Sequence, residues 1–278
     1  MTALLYFLNV VCSAGQSALG KHYAHHGGNP LRFNITRAAI GAVIFLVYGI
    51  ITGFSFHLPT ILFGVGYGIS LSISMQTGLK ALGIGPMALT STIAAFSLVI
   101  PFFFGIFFWD EQLTLFKTIG IILLLLSMLL INRKKESGFS TKWALYSLAT
   151  LLTNGICSVI QKLHQIKFPT LYRTEFMFWS MLCITLVLVV TAQANGEKKE
   201  VFRLSLPGLL AGITSCSSTY IVLYLSAAEN ASVLFPIVSI AQMIAVWGIG
   251  VLCFKEKLKL LQTIGLVIGI ASIVLLKI

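Results

Sequence analysis

Ten stretches of about 20 apolar residues follow one another along this chain, and most are separated by only a few residues. A helix rises 1.5 Å per residue, so each stretch is long enough to cross a ~30 Å hydrocarbon core. Inside lipid the backbone N–H and C=O groups must be satisfied by the protein itself, which only helices and closed barrels achieve. These runs are too long and too continuous for barrel strands. Composition agrees: 57% of residues are hydrophobic, 10% are charged and the mean hydropathy is +0.95, whereas a soluble domain is about half apolar and a quarter charged. The expected fold is an all-α membrane protein with ten transmembrane helices. They fall at roughly 2–20, 31–53, 58–79, 86–108, 114–132, 143–163, 171–193, 206–227, 231–253 and 260–277. Pro30, Pro59, Pro86, Pro169 and Pro207 punctuate the gaps, where a helix can begin. The first run has no basic residue ahead of it and reads as a retained helix rather than a cleaved signal.

The net charge of +11 does not point to nucleic acid, because the basic residues sit between apolar runs, as topology signals do. Cys12, Cys157, Cys183, Cys216 and Cys253 are scattered through apolar runs without paired spacing and read as small core residues. His22, His25 and His26 are expected in the first loop, in water rather than on a metal. No HExxH, mid-helix acid pair or Ser/His couple supplies what an intramembrane enzyme needs. The expectation is therefore no enzyme, no cofactor and no metal.

The chain repeats itself. WDEQLTLFKTIG (109–120) returns as FKEKLKLLQTIG (254–265), an offset of 145. At the same offset NVVCSAGQ (9–16) meets NGICSVIQ (154–161), and with a shift to 148 LPTILFG (58–64) meets LPGLLAG (206–212). Polar identities such as Asn, Ser and Gln are scarce in lipid-spanning helices, so shared apolar composition does not explain them. The polar loop NRKKESGFSTK divides the chain into two five-helix repeats, 1–136 and 137–278, within one integral membrane domain. An odd-span repeat inserts upside down relative to its predecessor, giving an inverted pair. The two equivalent turns then lie on opposite faces, and the lysines around Glu256, absent around Glu111, keep the second one cytoplasmic. With alternating loops, fourteen of the 19 Lys and Arg fall on one face, which places both termini outside.

The span count, the duplication and the two ends FFWDEQLTLFKTIGIILLLLSMLLI and LCFKEKLKLLQTIGLVIGIASIVLL resemble the EamA-type branch of the drug/metabolite transporter superfamily. Glu111-Gln-Leu113…Gly120 and Glu256-Lys-Leu258…Gly265 fit that family's pattern of an acid in a short turn, a Leu and a Gly-containing final helix. The resemblance covers the whole chain and implies a multi-pass transporter of the cell membrane, of the bacterial inner-membrane type. It implies a central cavity lined by helices 1, 3, 4, 6, 8 and 9, and cytoplasmic termini, the reverse of the charge pattern.

Asn9, Ser13, Gln16 and Gly20 lie on one stripe of the first helix, and Asn154, Ser158, Gln161 and Gln165 repeat it on the sixth. Such a stripe serves either as interhelical glue, worth ~0.6 kcal/mol per hydrogen bond, or as the wall of a substrate cavity at a repeat interface. Gln76 on the third helix, Ser97 on the fourth, and Ser239 and Gln242 on the ninth are further candidate liners. Tyr220 and Tyr224, one turn apart on the eighth helix, form a candidate aromatic wall. Arg37 and Glu175, a short way into helices 2 and 7, are candidate gates. The ladder Gly66, Ser70, Ser74, Gly78 reads as a close-packing face, and Pro101 and Pro236 as kinks. The wall carries amides, hydroxyls and tyrosines but no buried acid. A neutral or zwitterionic metabolite such as an amino acid therefore fits best, moved by alternating access. The alternatives are an importer or exporter of amines or drugs with an aromatic cage, and a flippase for a lipid-linked headgroup. The partners expected are a small-molecule substrate and the bilayer; a monomer and a dimer both fit the sequence.

Overall fold

The computed structural model describes residues 2–84, 90, 93–131, 140–197, 202–254 and 260–277. Among them are ten α-helices: α1 (Thr2–His25), α2 (Pro30–Thr52), α3 (Leu58–Ile84), α4 (Val99–Phe108), α5 (Leu115–Ile131), α6 (Thr141–Lys167), α7 (Arg173–Ala194), α8 (Leu206–Ala228), α9 (Ala231–Phe254) and α10 (Leu260–Lys277). Six of them, α1, α2, α3, α6, α7 and α8, have the length and hydropathy to cross a membrane over their described residues, and the other four are apolar as well. Large apolar side chains coat the outside, Ile51, Phe56 and Leu115 among them, while Asn9, Thr60, Ser127 and His164 are fully buried. A polar interior beneath an apolar coat is what lipid selects.

Local sequence sets the helix ends. Asn29 accepts a hydrogen bond from Leu31 N ahead of Pro30, whose missing N–H costs nothing in a first turn. Gly53, at φ 94°, closes the same helix. Several helices outrun their expected spans, because polar interfacial residues continue a helix beyond the hydrocarbon core. The first-loop assignment is thereby corrected for His22 and His25, since α1 continues through His25, whereas His26 lies in the turn that follows. The His22 and His26 rings lie 4.3 Å apart, and His26 Nδ1 meets His22 O at 2.8 Å. The expected break near Pro101 takes the form of a 3-10 turn at Phe96–Leu98. Pro101 cannot donate to the carbonyl of Ser97 four residues back, and the chain tightens there before α4 begins.

The chain forms two compact units, Met1–Ser72 with Ile160–Ala227 and Ile73–Val159 with Ala228–Ile278. Each draws from both sequence halves. In the first unit α2 packs on α7 and α1 meets α8. Contact there is close: a Cβ on Gly212 of α8 would lie 1.8 Å from Ile40 Cγ2, and one on Gly68 of α3 would lie 2.6 Å from Cys183 Cβ. The tight face of α3 is thus Gly64 and Gly68, whereas Gly66 and Gly78 of the expected ladder have only ordinary contacts.

In the second unit α5 packs on α10, and α9 packs against α4, α5 and α10. Ser127 Oγ donates to Gly265 O at 2.6 Å, and Gly120 lies against Leu276. The recurring Thr-Ile-Gly glycines therefore sit where the two final helices meet. The turn before α5 also has a defined role. Asp110 takes a left-handed φ of 51°, which a short polar side chain tolerates. Glu111 then turns inward and caps the start of α9, accepting from Ala231 N at 2.6 Å and Ser232 N at 2.8 Å.

Candidate functional site

The first unit holds Asn9, Ser13, Gln16, Arg37, Gln161, Glu175, Tyr220 and Tyr224. Asn9 is fully buried, and its amide nitrogen donates to both Ser218 O and Ser218 Oγ at 2.9 Å. That nitrogen is a strut between α1 and α8. Ser13 Oγ donates within its own helix, to Val10 O, and Gln16 is half-buried. Gln161, the repeat partner of Gln16, behaves differently. It is 4% exposed, and its amide nitrogen has no hydrogen-bond partner among the described residues.

A cavity of about 240 Å³ lies between α2 and α8, lined by Phe45, Tyr48, Ile213, Cys216, Ser217 and Tyr220. Tyr220 stacks on Phe45 at 5.9 Å, and its hydroxyl is hydrogen-bonded to Thr174. Arg37, from α2, is in electrostatic range of Cys216 on this wall and of Tyr67 on α3. Tyr224 does not line the cavity; the Arg173 guanidinium lies over its ring at 4.7 Å. Glu175 is buried and accepts from Ser55 N and Oγ at 3.2 and 3.1 Å. Its carboxylate thus holds the α2–α3 connection to the first turn of α7.

The second unit holds Gln76, Ser97, Asn154, Ser158, Ser239 and Gln242. Ser158 Oγ donates to Asn154 O within α6. Ser97 lies in the 3-10 turn that touches α9, the helix carrying half-buried Ser239 and Gln242. Gln76 is half-buried on α3.

Of a polar cluster in the first unit, sequence reasoning placed only Gln165 on the polar stripe. His57 Nδ1 and Thr60 Oγ1 are 2.9 Å apart, Thr60 Oγ1 and His164 Nε2 3.3 Å, and His164 Nδ1 and Gln165 Nε2 2.9 Å. Arg173 Nε donates to Gln165 Oε1 at 2.7 Å and a terminal nitrogen to Pro169 O. Buried Lys162 donates to Ser226 O in the last turn of α8, where a cation meets the negative end of the helix dipole. The usable signal was QKLHQ (161–165), which carries the polar stripe of α6 two turns beyond Ser158.

A model of the EamA-like transporter family matches residues 1–133. Just under half of the chain thus carries the likeness to EamA-like transporters. A solved structure described only as "Crystal structure of protein" is similar in fold to nearly the whole chain. Its TM-score is 0.77 at 15% identity, over 99% of this chain and 95% of that one. No curated protein matches. This EamA-like protein is accordingly a multi-pass membrane transporter rather than an enzyme. Among its described residues no group of His, Cys, Asp and Glu could hold a metal ion, and Cys12, Cys157, Cys183 and Cys216 are free thiols.

Proposed function

We propose that this EamA-like transporter carries a small neutral or zwitterionic solute of the amino-acid class, by alternating access between the inverted repeats 1–136 and 137–278. The observation that carries the reading is Gln161. A buried amide N–H without a partner costs about 1–3 kcal/mol, and a solute oxygen offsets that cost in the loaded protein. Arg37, close to the cavity wall, suits a carboxylate, and the Tyr220 hydroxyl adds a polar contact. A cage for a lone cation is disfavoured because Arg173 already covers the Tyr224 face.

Support for the inverted repeats comes from helix direction. Helices equivalent at the 145 offset must run in opposite senses if the repeats are inverted. α5 and α10 do: Gly120 early in α5 meets Leu276 late in α10, while Ser127 further along meets Gly265. In the first unit α2 ends where α7 begins, at the Ser55–Glu175 bonds. The contact of Gly15 with Thr214 also has a counterpart, by the two offsets, in that of Ile160 with Gly66.

The test is Gln161→Met, which keeps volume and removes the amide. Replacing an unpartnered buried amide by an apolar group is neutral or stabilising by about 1 kcal/mol. Thermal unfolding should therefore hold or improve, while amino-acid uptake by proteoliposomes falls. Loss of stability with uptake per folded molecule unchanged would make Gln161 glue. Saturable transport of a quaternary ammonium compound, abolished with either tyrosine, would replace the zwitterion by a caged cation.

A further inference from the structure

Three consecutive side chains at the start of α7 leave their own helix, and each binds a different partner. Arg173 lies over the Tyr224 ring of α8 at 4.7 Å, and Thr174 is hydrogen-bonded to the Tyr220 hydroxyl of the same helix. The Glu175 carboxylate accepts from Ser55 N and Oγ, just past the end of α2. The cavity lies between those two helices, with Tyr48, one turn from the end of α2, and Tyr220 of α8 among its lining. We infer that Arg173, Thr174 and Glu175 form a lid over that end of the cavity, hinged at Tyr172, which lifts to let solute in or out. The lid rests on the reading of this cavity as the solute's site, and its closure does not depend on which solute is carried.

Local sequence gives this turn its freedom. The first N–H groups of a helix need an acceptor, and Asn29 supplies one for α2. At the N-cap of α7 stands Tyr172, whose side chain makes no capping bond. Thr174, at the 145 offset from Asn29, is engaged with Tyr220 instead. Tyr172 has a left-handed φ of 58°, a strained conformation for a bulky residue, and its ring is held by stacking on His57 at 4.3 Å. Residues 168–172 are not helical. Beyond the first turn the helix is anchored, because Phe176 and Met177 are fully buried. Movement is thus confined to the turn that carries the three ties.

The ties themselves are of a kind that can release. One hydrogen bond, one contact of a guanidinium with a ring and one carboxylate bound to exposed Ser55 are each modest. Arg173 Nε also donates to Gln165 Oε1 at 2.7 Å, which keeps the guanidinium with α6 when Tyr224 is let go. Away from the lid, α2 and α8 are locked by shape instead. A Cβ on Gly212 would lie 1.8 Å from Ile40 Cγ2, so the pair cannot part there without repacking. The cavity therefore opens most readily at the α7 end.

Cys216, on the cavity wall and 3% exposed, is a built-in reporter. A sulfonated, membrane-impermeant maleimide reaches it only when the cavity admits water. The full chain in lipid nanodiscs is treated with that reagent, and labelling at Cys216 is followed by peptide mass spectrometry. With opening fast relative to labelling, the rate tracks the open population. Thr174→Val and Ser55→Ala each remove one side-chain tie at a position outside the core. Each should raise the rate about two- to tenfold, the shift that loss of one hydrogen bond produces. Thr36→Val is the control, since it removes the bond from Ser205 N to Thr36 Oγ1, which joins α2 to the start of α8 at their other end. Its rate should stay at the wild-type level. Lid variants labelled no faster than wild type, or Thr36→Val labelled as fast as they are, would overturn the lid. No solute enters this measurement. Absence of amino-acid uptake by the wild type counts against the zwitterion reading and leaves the labelling result standing.

Discussion

A carboxamide inside a lipid-spanning bundle brings donors and an acceptor that must be met without water, and Asn9 and Gln161 meet that demand differently. Both come from the repeated octapeptide, and the sequence supports glue and substrate contact equally for each. The deciding atoms are far away in the chain: Ser218, which takes both Asn9 donor bonds, is 209 positions distant. No local pattern encodes that pairing, so the polar stripe was legible and its division of labour was not. The consequence is testable. Asn9→Ala should lower the stability of the solubilised protein by about 1–2 kcal/mol, since membrane-buried hydrogen bonds average ~0.6 kcal/mol and reach ~1.7 kcal/mol. Uptake per folded molecule should stay near wild type. Thermal unfolding beside quantified reconstitution measures both, and a fully folded Asn9→Ala that no longer transports would move Asn9 from strut to site.

Among the elements, the turn between α4 and α5 shows a motif acid doing more than marking topology. Its repetition with altered surrounding charge was legible, and the charge change suited a membrane-sidedness signal. That the carboxylate caps a helix in the other half of the sequence was not legible, because Ala231 is 120 positions away. Gly105 completes the arrangement. Its carbonyl accepts from both Trp109 N and Glu111 N, and a Cβ there would stand 2.6 Å from Glu111 Oε2. Glu111→Ala should destabilise the protein on the order of 2 kcal/mol, through loss of a charged cap and two buried N–H groups left unpaired. Gly105→Ala should cost a comparable amount by displacing the carboxylate. The double variant decides the mechanism: Gly105→Ala should be nearly silent once the Glu111 carboxylate is gone, since residues acting through one contact are non-additive. Strictly additive losses would mean that Gly105 serves helix packing alone.

For the whole molecule, the number and order of spans were readable because apolar length is a local property that lipid enforces everywhere. The grouping of residues 1–72 with 160–227 was not readable, because it depends on close approaches such as Gly212 to Ile40. Orientation is a third kind of property, set by loop charge rather than by packing. Within the first unit the charges sort by end. Arg32 at the start of α2 donates to the carbonyls of Arg203 and Leu204, just ahead of α8. Lys162, Lys167 and Arg173 gather at the opposite end, where α6 finishes and α7 begins. That division matches the alternation in which fourteen of the 19 basic residues share one face. Lys and Arg in short loops are retained in the cytoplasm, so the Arg32 face should be cytoplasmic and both termini external. The family resemblance implies the reverse, which makes the experiment decisive. A reporter fused after Lys277 should report the outside, and one fused at Ser137, outside the described residues, should report the cytoplasm. The opposite pair of signals would show that the basic loops do not control insertion here.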